Sequence, residues 1–318
     1  MFKNASIFRI TLPPQAQAME FDVWAQDYGF VPCGPSQERS VGWVEPRGHA
    51  NGATVERIGG QIIMRLMIET KAVPAQTVQD AVDAEVARIE QTTGRKPGKK
   101  ETRELKDDAR RALLPHAFAK RTAVWVWIDP VAGLLVVDSN PGARTDEVLT
   151  QLVHLVDGIK IDWVNFGTQP ASLMTNWLMQ AGVHEDDLGT FQSPEEMFGF
   201  DIGRACELKA SDESKAAVRY ARHDLDTEEV KNHILSGKMA TRLALTHLDR
   251  VAFTLTDMGT LAGINVLDVA ITDRMNATLG DRKGDMFDAD VAIITGELKP
   301  LIENLFLALD VQPVEEAA

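Results

Sequence analysis

Apolar positions along residues 3–12, with Ile7, Phe8 and Ile10, alternate well enough to predict a strand. Residues 15–28 then carry Met19, Phe21, Val23, Trp24 and Tyr28 in a helical distribution that stops at Gly29. The Gly-, Pro- and Ser-rich stretch from Gly34 to Gly52 predicts a loop, with a short strand at Trp43 and Val44. A hairpin follows over 53–57 and 61–70, turning at Gly59-Gly60. After Pro74 the period changes from two to 3.6, because Val78, Val82, Val86 and Ile89 recur on one helical face until Gly94. A second helix is expected from about 99 to 118, so the two form a helical hairpin inserted between strands. Two apolar runs over 122–138 flank an Asp129-Pro130-Val-Ala-Gly133 turn and predict another hairpin, followed by a helix at 143–157. A similar order recurs at 250–266, which hints at two related halves. Helices are expected around Leu173–Gln180, from Asp226 or Thr227 to Ser236, and from Phe287 to Leu309, with strands near 201–209 and 216–222. The tail from Val311 to Ala318 is acidic and expected to fray.

This order gives an α+β fold: antiparallel sheets with packed helices and a protruding helical arm. The domains expected are 1–74 with 119–165 as an N-terminal sheet and helix half, 75–118 as the arm, and 166–318 as a C-terminal half. With 44% apolar and 25% charged residues among 318, wholesale disorder is excluded, and two cysteines exclude a disulfide scaffold. Cys33 and Cys206 are expected as reduced thiols of a cytoplasmic protein. Early charges at Lys3 and Arg9 followed by Pro13-Pro14 leave no signal-length apolar stretch, and nowhere do about 18 apolar residues run together to span a membrane.

Catalytic motifs fail one by one. Gly94-Arg-Lys-Pro-Gly98-Lys99-Lys100 has three residues between its glycines and no hydroxyl after the lysine, so it is not a phosphate-binding loop. His184-Glu185 lacks a second histidine at the spacing of a helical zinc site, and the seven histidines are scattered. No metal site or cofactor is expected. Asp288 and Asp290 suit the start of the last helix better than an acid–base pair, and Cys206 near Arg204 suits a buried structural thiol. No basic neighbour in sequence activates Cys33.

Charge changes the picture. Between Arg88 and Arg121 lie eleven cations and five anions, a net +6 inside a chain of −14, so the other 284 residues carry −20. Such segregation suits a protein that must approach a polyanion. At 100° per residue, Lys99, Arg103, Lys106 and Arg110 fall in one narrow stripe, beside a packing sector of Leu105, Ala109, Ala112 and Leu113. Glu104, Asp107 and Asp108 lie on the other side. The plainer alternative is a solvated helix laced with pairs such as Asp107–Arg111. Two further basic spots flank the 227–236 helix: Arg219, Arg222 and His223 before it, Lys238 and Arg242 after it.

The chain resembles the bacterial recombination-associated protein RdgC family. The matching stretches are Phe30-Val-Pro-Cys-Gly34, Gly42-Trp-Val-Glu-Pro46, Gly60-Gln-Ile62, Leu113-Leu-Pro-His-Ala-Phe118, Trp127-Ile-Asp129, Thr227 to Lys238, Phe287-Asp-Ala-Asp290 and Thr295-Gly-Glu-Leu298. They span nearly the whole chain in order. The resemblance implies a non-enzymatic protein of the cytoplasm and nucleoid that binds double-stranded DNA with little sequence preference and restrains RecA. It further implies a horseshoe-shaped subunit closing into a ring homodimer on one two-fold axis, with DNA in a positively lined hole. By the same resemblance Phe118 corresponds to an aromatic plug at the arm's dimer contact, the alternative being a core phenylalanine. Arg95 and Lys96 match a basic pair on the arm, Lys238 matches a Gly-Lys, and Arg222-His223 departs from the usual Lys-Gln. The competing function is a protein-interaction module that docks on a recombinase without binding DNA, and a hydrolase using clustered carboxylates stands behind both.

Overall fold

The computed structural model describes residues 1–13, 25, 27–48, 52–181, 194–270 and 286–312. Its strands are β1 (Asn4–Thr11), β2 (Arg39–Val44), β3 (Val55–Ile58), β4 (Gln61–Lys71), β5 (Ala119–Asp129), β6 (Leu134–Val137), β7 (Lys160–Trp163), β8 (Phe200–Ala210), β9 (Ala217–Ala221), β10 (Lys238–His247), β11 (Val251–Thr256) and β12 (Leu261–Val266). Its helices are α1 (Ala75–Thr93), α2 (Lys99–Leu113), α3 (Ala143–Leu155), α4 (Pro170–Gln180), α5 (Pro194–Phe198), α6 (Glu228–Leu235) and α7 (Met286–Ala308). The fold is α+β with a large antiparallel sheet, as the sequence pattern predicts.

Two compact units divide the chain: Met1–Glu20, Val55–Ile63 and Trp125–Ala318 in one, Phe21–Thr54 and Met64–Val124 in the other. In the larger unit β1 pairs with β6, β7 and β12, and the sheet continues through β11, β10 and β8 to β9. Inward residues of these strands, such as Leu208, Leu243, Leu245 and Leu255, share one buried cluster with Leu178 of α4, Val230 of α6 and Leu298 and Leu301 of α7. Burial of each such side chain contributes about 1.5–3 kcal/mol, so this cluster is the main source of the unit's stability.

Several motif residues serve this core. Trp127 Nε1 donates to Gln61 Oε1 at 2.6 Å, and Gln61 Nε2 and Lys299 Nζ donate to Asp129 Oδ2 at 3.3 and 2.8 Å. The N–H groups of Val131 and Ala132 fill Asp129 Oδ1 at 3.0 Å and fix the β5–β6 turn. Burial pushes the Asp129 carboxyl pKa up, but the Lys299 and Ala132 hydrogen bonds outweigh it and hold the group below its ordinary value. Glu297, also buried, takes a two-point contact from Arg250 at 2.8 and 2.9 Å.

His247 is 2% exposed, packs on Phe200 at 5.1 Å between ring centroids, and has Asn304 Nδ2 at 3.0 Å from its Nε2. Burial pulls its pKa from 6.5 down to about 4, against a smaller opposite pull from Glu297. The unfolded chain therefore takes up this proton below pH 6.5 while the folded chain resists until about pH 4. The stability present above pH 6.5 is lost as pH falls through that window, at about 1.4 kcal/mol per pH unit. Urea titrations at pH 7 and pH 5 should differ by roughly 2 kcal/mol. A His247→Gln variant should lose most of that difference, and an unchanged difference would show that another group titrates.

The structure corrects several sequence expectations. The arm's second helix ends at Leu113 instead of running to 118, because Pro115 has no N–H to continue the ladder, and Leu114–His116 form a 3-10 turn. The strand expected at Trp43 and Val44 extends over six residues, since Arg39–Val44 pair with Arg65–Thr70 of β4. β10 was hidden by a bulge between Ala240 and Arg242 that breaks the period of two. Exposed β7 shows no buried alternation, and α5 spans only five residues, so neither is legible from pattern. Thr227 does precede α6, but its hydroxyl forms no cap hydrogen bond. The helix expected over 15–28 lies outside the described residues except for Ala25 and Asp27, both helical, and Tyr28, in a turn. His184-Glu185 and the tail beyond Gln312 also lie outside them.

Candidate nucleic-acid interface

The arm belongs to the smaller unit. Val78 and Val82 bury one side of α1, and Gly94 ends it in the left-handed region at φ 71°, its N–H reaching Glu90 O. Arg95, Lys96 and Pro97 make the link, and α2 packs back on α1. No residue of α2 is fully buried: Leu105, Ala109 and Leu113 are half-buried, whereas Ala112, expected in the packing sector, is exposed. The helix therefore contributes little core and presents mostly its charge.

Lys99, Arg103, Lys106 and Arg110 are all exposed. Arg110 is tied to Glu38, with contacts of 2.7 and 2.9 Å. Lys99, Arg103 and Lys106 form no ion pair among the described residues. At the link, Arg95 makes a two-point contact with Glu101 at 2.8 and 3.2 Å, which holds the Glu101 carboxyl below its ordinary pKa, and Lys96 lies 3.9 Å from Glu90. The pair expected between Asp107 and Arg111 is replaced by Asp108–Arg111 at 2.5 Å, with Asp107 offering only its carbonyl. Exposed pairs of this kind contribute about 0–1 kcal/mol, so they hold these cations only weakly.

At the base of the arm, Phe118 is 95% exposed, which excludes the core alternative within this chain. Three residues on, Arg121 Nε donates to Glu69 Oε2 at 2.6 Å and its guanidinium lies 5.6 Å from the Phe30 ring. Glu69 Oε1 accepts the Cys33 N–H at 2.7 Å, and Lys71 Nζ donates to the Cys33 and Gly34 carbonyls. Arg121 and then the Cys33 N–H hold the Glu69 carboxyl below its ordinary pKa. Glu69 is 1% exposed, and its signal in the sequence is no more than a lone carboxylate closing an apolar strand run. A methyl group on Gly42 would sit 2.5 Å from Phe30 Cα, so only glycine lets the Tyr28–Phe30 segment lie along β2. Desolvation and the neighbouring Glu69 push up the half-buried Cys33 thiol despite Lys71, and burial pushes Cys206 to about 11. Both are poor nucleophiles.

Arg222 and Lys238 belong to the larger unit. Arg222 is exposed and leaves β9 at φ 57°, and His223 Nδ1 lies 2.6 Å from the Asp224 carbonyl. Lys238 Nζ lies 3.3 Å from His233 Nδ1 and 3.2 Å from Ser236 Oγ. Among the described residues no group of three or more His, Cys, Asp or Glu side chains is placed to hold a metal ion, and no helix is long and apolar enough to cross a membrane.

An α+β chain that carries a cationic helical arm in an acidic whole is the class of protein these observations define. The RdgC family model, described as "Putative exonuclease, RdgC", matches residues 1–312. The chain belongs to the RdgC family. It is 37% identical over 308 residues to the recombination-associated protein RdgC of Herminiimonas arsenicoxydans, covering 97% of each. It is 34% identical over 317 residues to that of Dechloromonas aromatica, covering 99% of each, and 34% identical over 304 residues to that of Bordetella pertussis, covering 96% of each. The family description names an exonuclease, whereas these relatives are named for recombination.

Proposed function

We propose that this recombination-associated chain binds double-stranded DNA without sequence preference, as a ring-shaped homodimer that encircles the duplex in the nucleoid and restrains RecA. The observation that carries the reading is the exposed stripe of Lys99, Arg103 and Lys106, without ion pairs among the described residues, on an arm of net +6 in a chain of −14. Arg95, Lys96 and Arg110 exchange weak surface pairs for phosphates, and Arg222 and Lys238 add contacts from the larger unit. The protein acts by occupancy, without turnover.

Titration of a fluorescent duplex across salt concentrations tests this. Saturable binding with a log–log slope of about −4 to −7 is expected, from five to eight phosphates at about 0.9 each. A protein-docking module would show no saturable binding, and metal-dependent shortening of the duplex would support a nuclease instead.

Phe118 closes the dimer contact on the arm. Because it is 95% exposed in the single chain, Phe118→Ala should leave thermal stability of the subunit within a degree or so. Losing a buried aromatic from the contact should weaken self-association by about 10- to 100-fold, following roughly 1.5–3 kcal/mol of lost burial. Sedimentation across a concentration series measures this, and an intact dimer with a lowered melting temperature would refute the assignment.

A further inference from the structure

In sequence, Arg219 sits with Arg222 and Arg242 with Lys238. The sheet regroups them. Register places Arg219 of β9 opposite Glu207 of β8, Glu207 opposite Arg242 of β10, and Arg242 opposite Thr256 of β11. These four residues form one row across four strands, on the face opposite the buried cluster. Arg219 satisfies Glu207 with contacts of 3.0 and 2.5 Å. Arg242, although directly opposite Glu207, makes no ion pair among the described residues, and neither does Lys209 two positions along β8. Both are exposed and line a cleft of about 360 Å³ with Thr241 and Thr256.

Around the row the face is low. Ala205, Ala217, Ala244, Ala252 and Thr254 occupy outward positions of the same four strands. Acidic groups stand at its margins: Asp201 at the far end of β8, Asp212 and Glu213 in the turn between β8 and β9, and Asp257 after β11, which lines the cleft with Glu207. In a chain with 47 acidic residues, the centre of this face carries one, and Arg219 already neutralises it. An open antiparallel sheet usually carries polar side chains on its solvent face. A low face on which Arg242 and Lys209 form no ion pair among the described residues admits a broad, rigid polyanion close to the sheet.

We propose that the outward face of β9, β8, β10 and β11 is a second phosphate-contact surface, with Arg242 and Lys209 on the DNA backbone and Arg219 held in place by Glu207. The proposal rests on the duplex-binding reading and adds to it a surface of the larger unit. Backbone contact at Arg242 and Lys209 carries no base information, so its loss is felt equally in every sequence.

The test uses the full chain and a fluorescein-labelled duplex. Lys209→Glu with Arg242→Glu should weaken binding by roughly 30- to 100-fold at about 0.1 M salt and reduce the log–log slope by about 1.8, two contacts at about 0.9 each. At Thr254, between the cations and the open face, Thr254→Lys should tighten binding several-fold and Thr254→Glu should weaken it by a similar factor. Opposite effects at one position are not produced by misfolding, which an unchanged melting curve checks. If the Lys209/Arg242 variant and both Thr254 variants bind like the parent while a Lys99/Arg103/Lys106 variant does not, the second surface is refuted and the duplex reading stands. If the parent itself shows no saturable binding, both fail. If the face variants instead lose binding only to an acidic protein partner, the surface is a protein-docking site and the proposal is overturned.

Discussion

Replacing Lys99, Arg103 and Lys106 together by glutamate is expected to weaken duplex binding by two to three orders of magnitude at about 0.1 M salt. Each phosphate contact adds about 0.9 to the log–log salt slope, so losing three lowers the slope by about 2.7, and near 0.1 M each is worth close to a factor of ten. These residues make no ion pairs among the described residues that must first break, and none is buried, so the helix should persist when they are changed. Lys100 is the internal control. It lies off the stripe and 4.0 Å from Glu104, so Lys100→Glu should cost less than threefold. Fluorescence anisotropy across salt reads both, and a Lys100→Glu loss of about one third of the triple variant's on a logarithmic scale, the ratio of the charge changes, would mean that net charge alone governs binding.

Removal of one buried carboxylate in the larger unit is expected to cost the most folding stability. Asp129 is fully buried and holds five groups together: Lys299, Gln61, the N–H groups of Val131 and Ala132, and through Gln61 the Trp127 indole. Asp129→Ala leaves the two backbone donors and Gln61 without their acceptor, and Lys299 without its counter-charge. Lys299 is part-exposed and turns to water, which softens the loss. A destabilisation of about 3 kcal/mol is expected, the range seen when one member of a buried polar network is removed. Chemical denaturation measures it. A change below about 1 kcal/mol would show that water replaces the carboxylate, and the network would then be incidental to stability.

That network also shows where sequence reading stops. Period and turn chemistry made the hairpins at Gly59-Gly60 and Asp129–Gly133 legible, together with the arm and the apolar last helix, because each signal is local. Asp129 and Lys299 stand 170 positions apart, and no local pattern pairs them. Gly60-Gln-Ile62 and Trp127-Ile-Asp129 looked like separate motifs until the Gln61 side chain joined them. Glu69 escaped notice for the same reason, since Cys33 and Arg121, which make its burial tolerable, lie 36 and 52 positions away. A bulge masks β10, and the loop-like composition around β2 shortens its legible part to Trp43 and Val44, so in both cases tertiary pairing overrides the local signal. The candidate interface divides in the same way. The stripe on α2 was readable from helical spacing, but the Arg219–Arg242 row exists only through strand register.

Encirclement by a closed ring makes release from DNA depend on whether the duplex has ends. Protein bound at low salt to a closed circular duplex, and to the same duplex cut once, is challenged with about 1 M salt, which screens phosphate contacts within about 3 Å. A closed ring remains on the circle and slides off the cut molecule. Equal release from both would mean that the protein does not encircle the duplex.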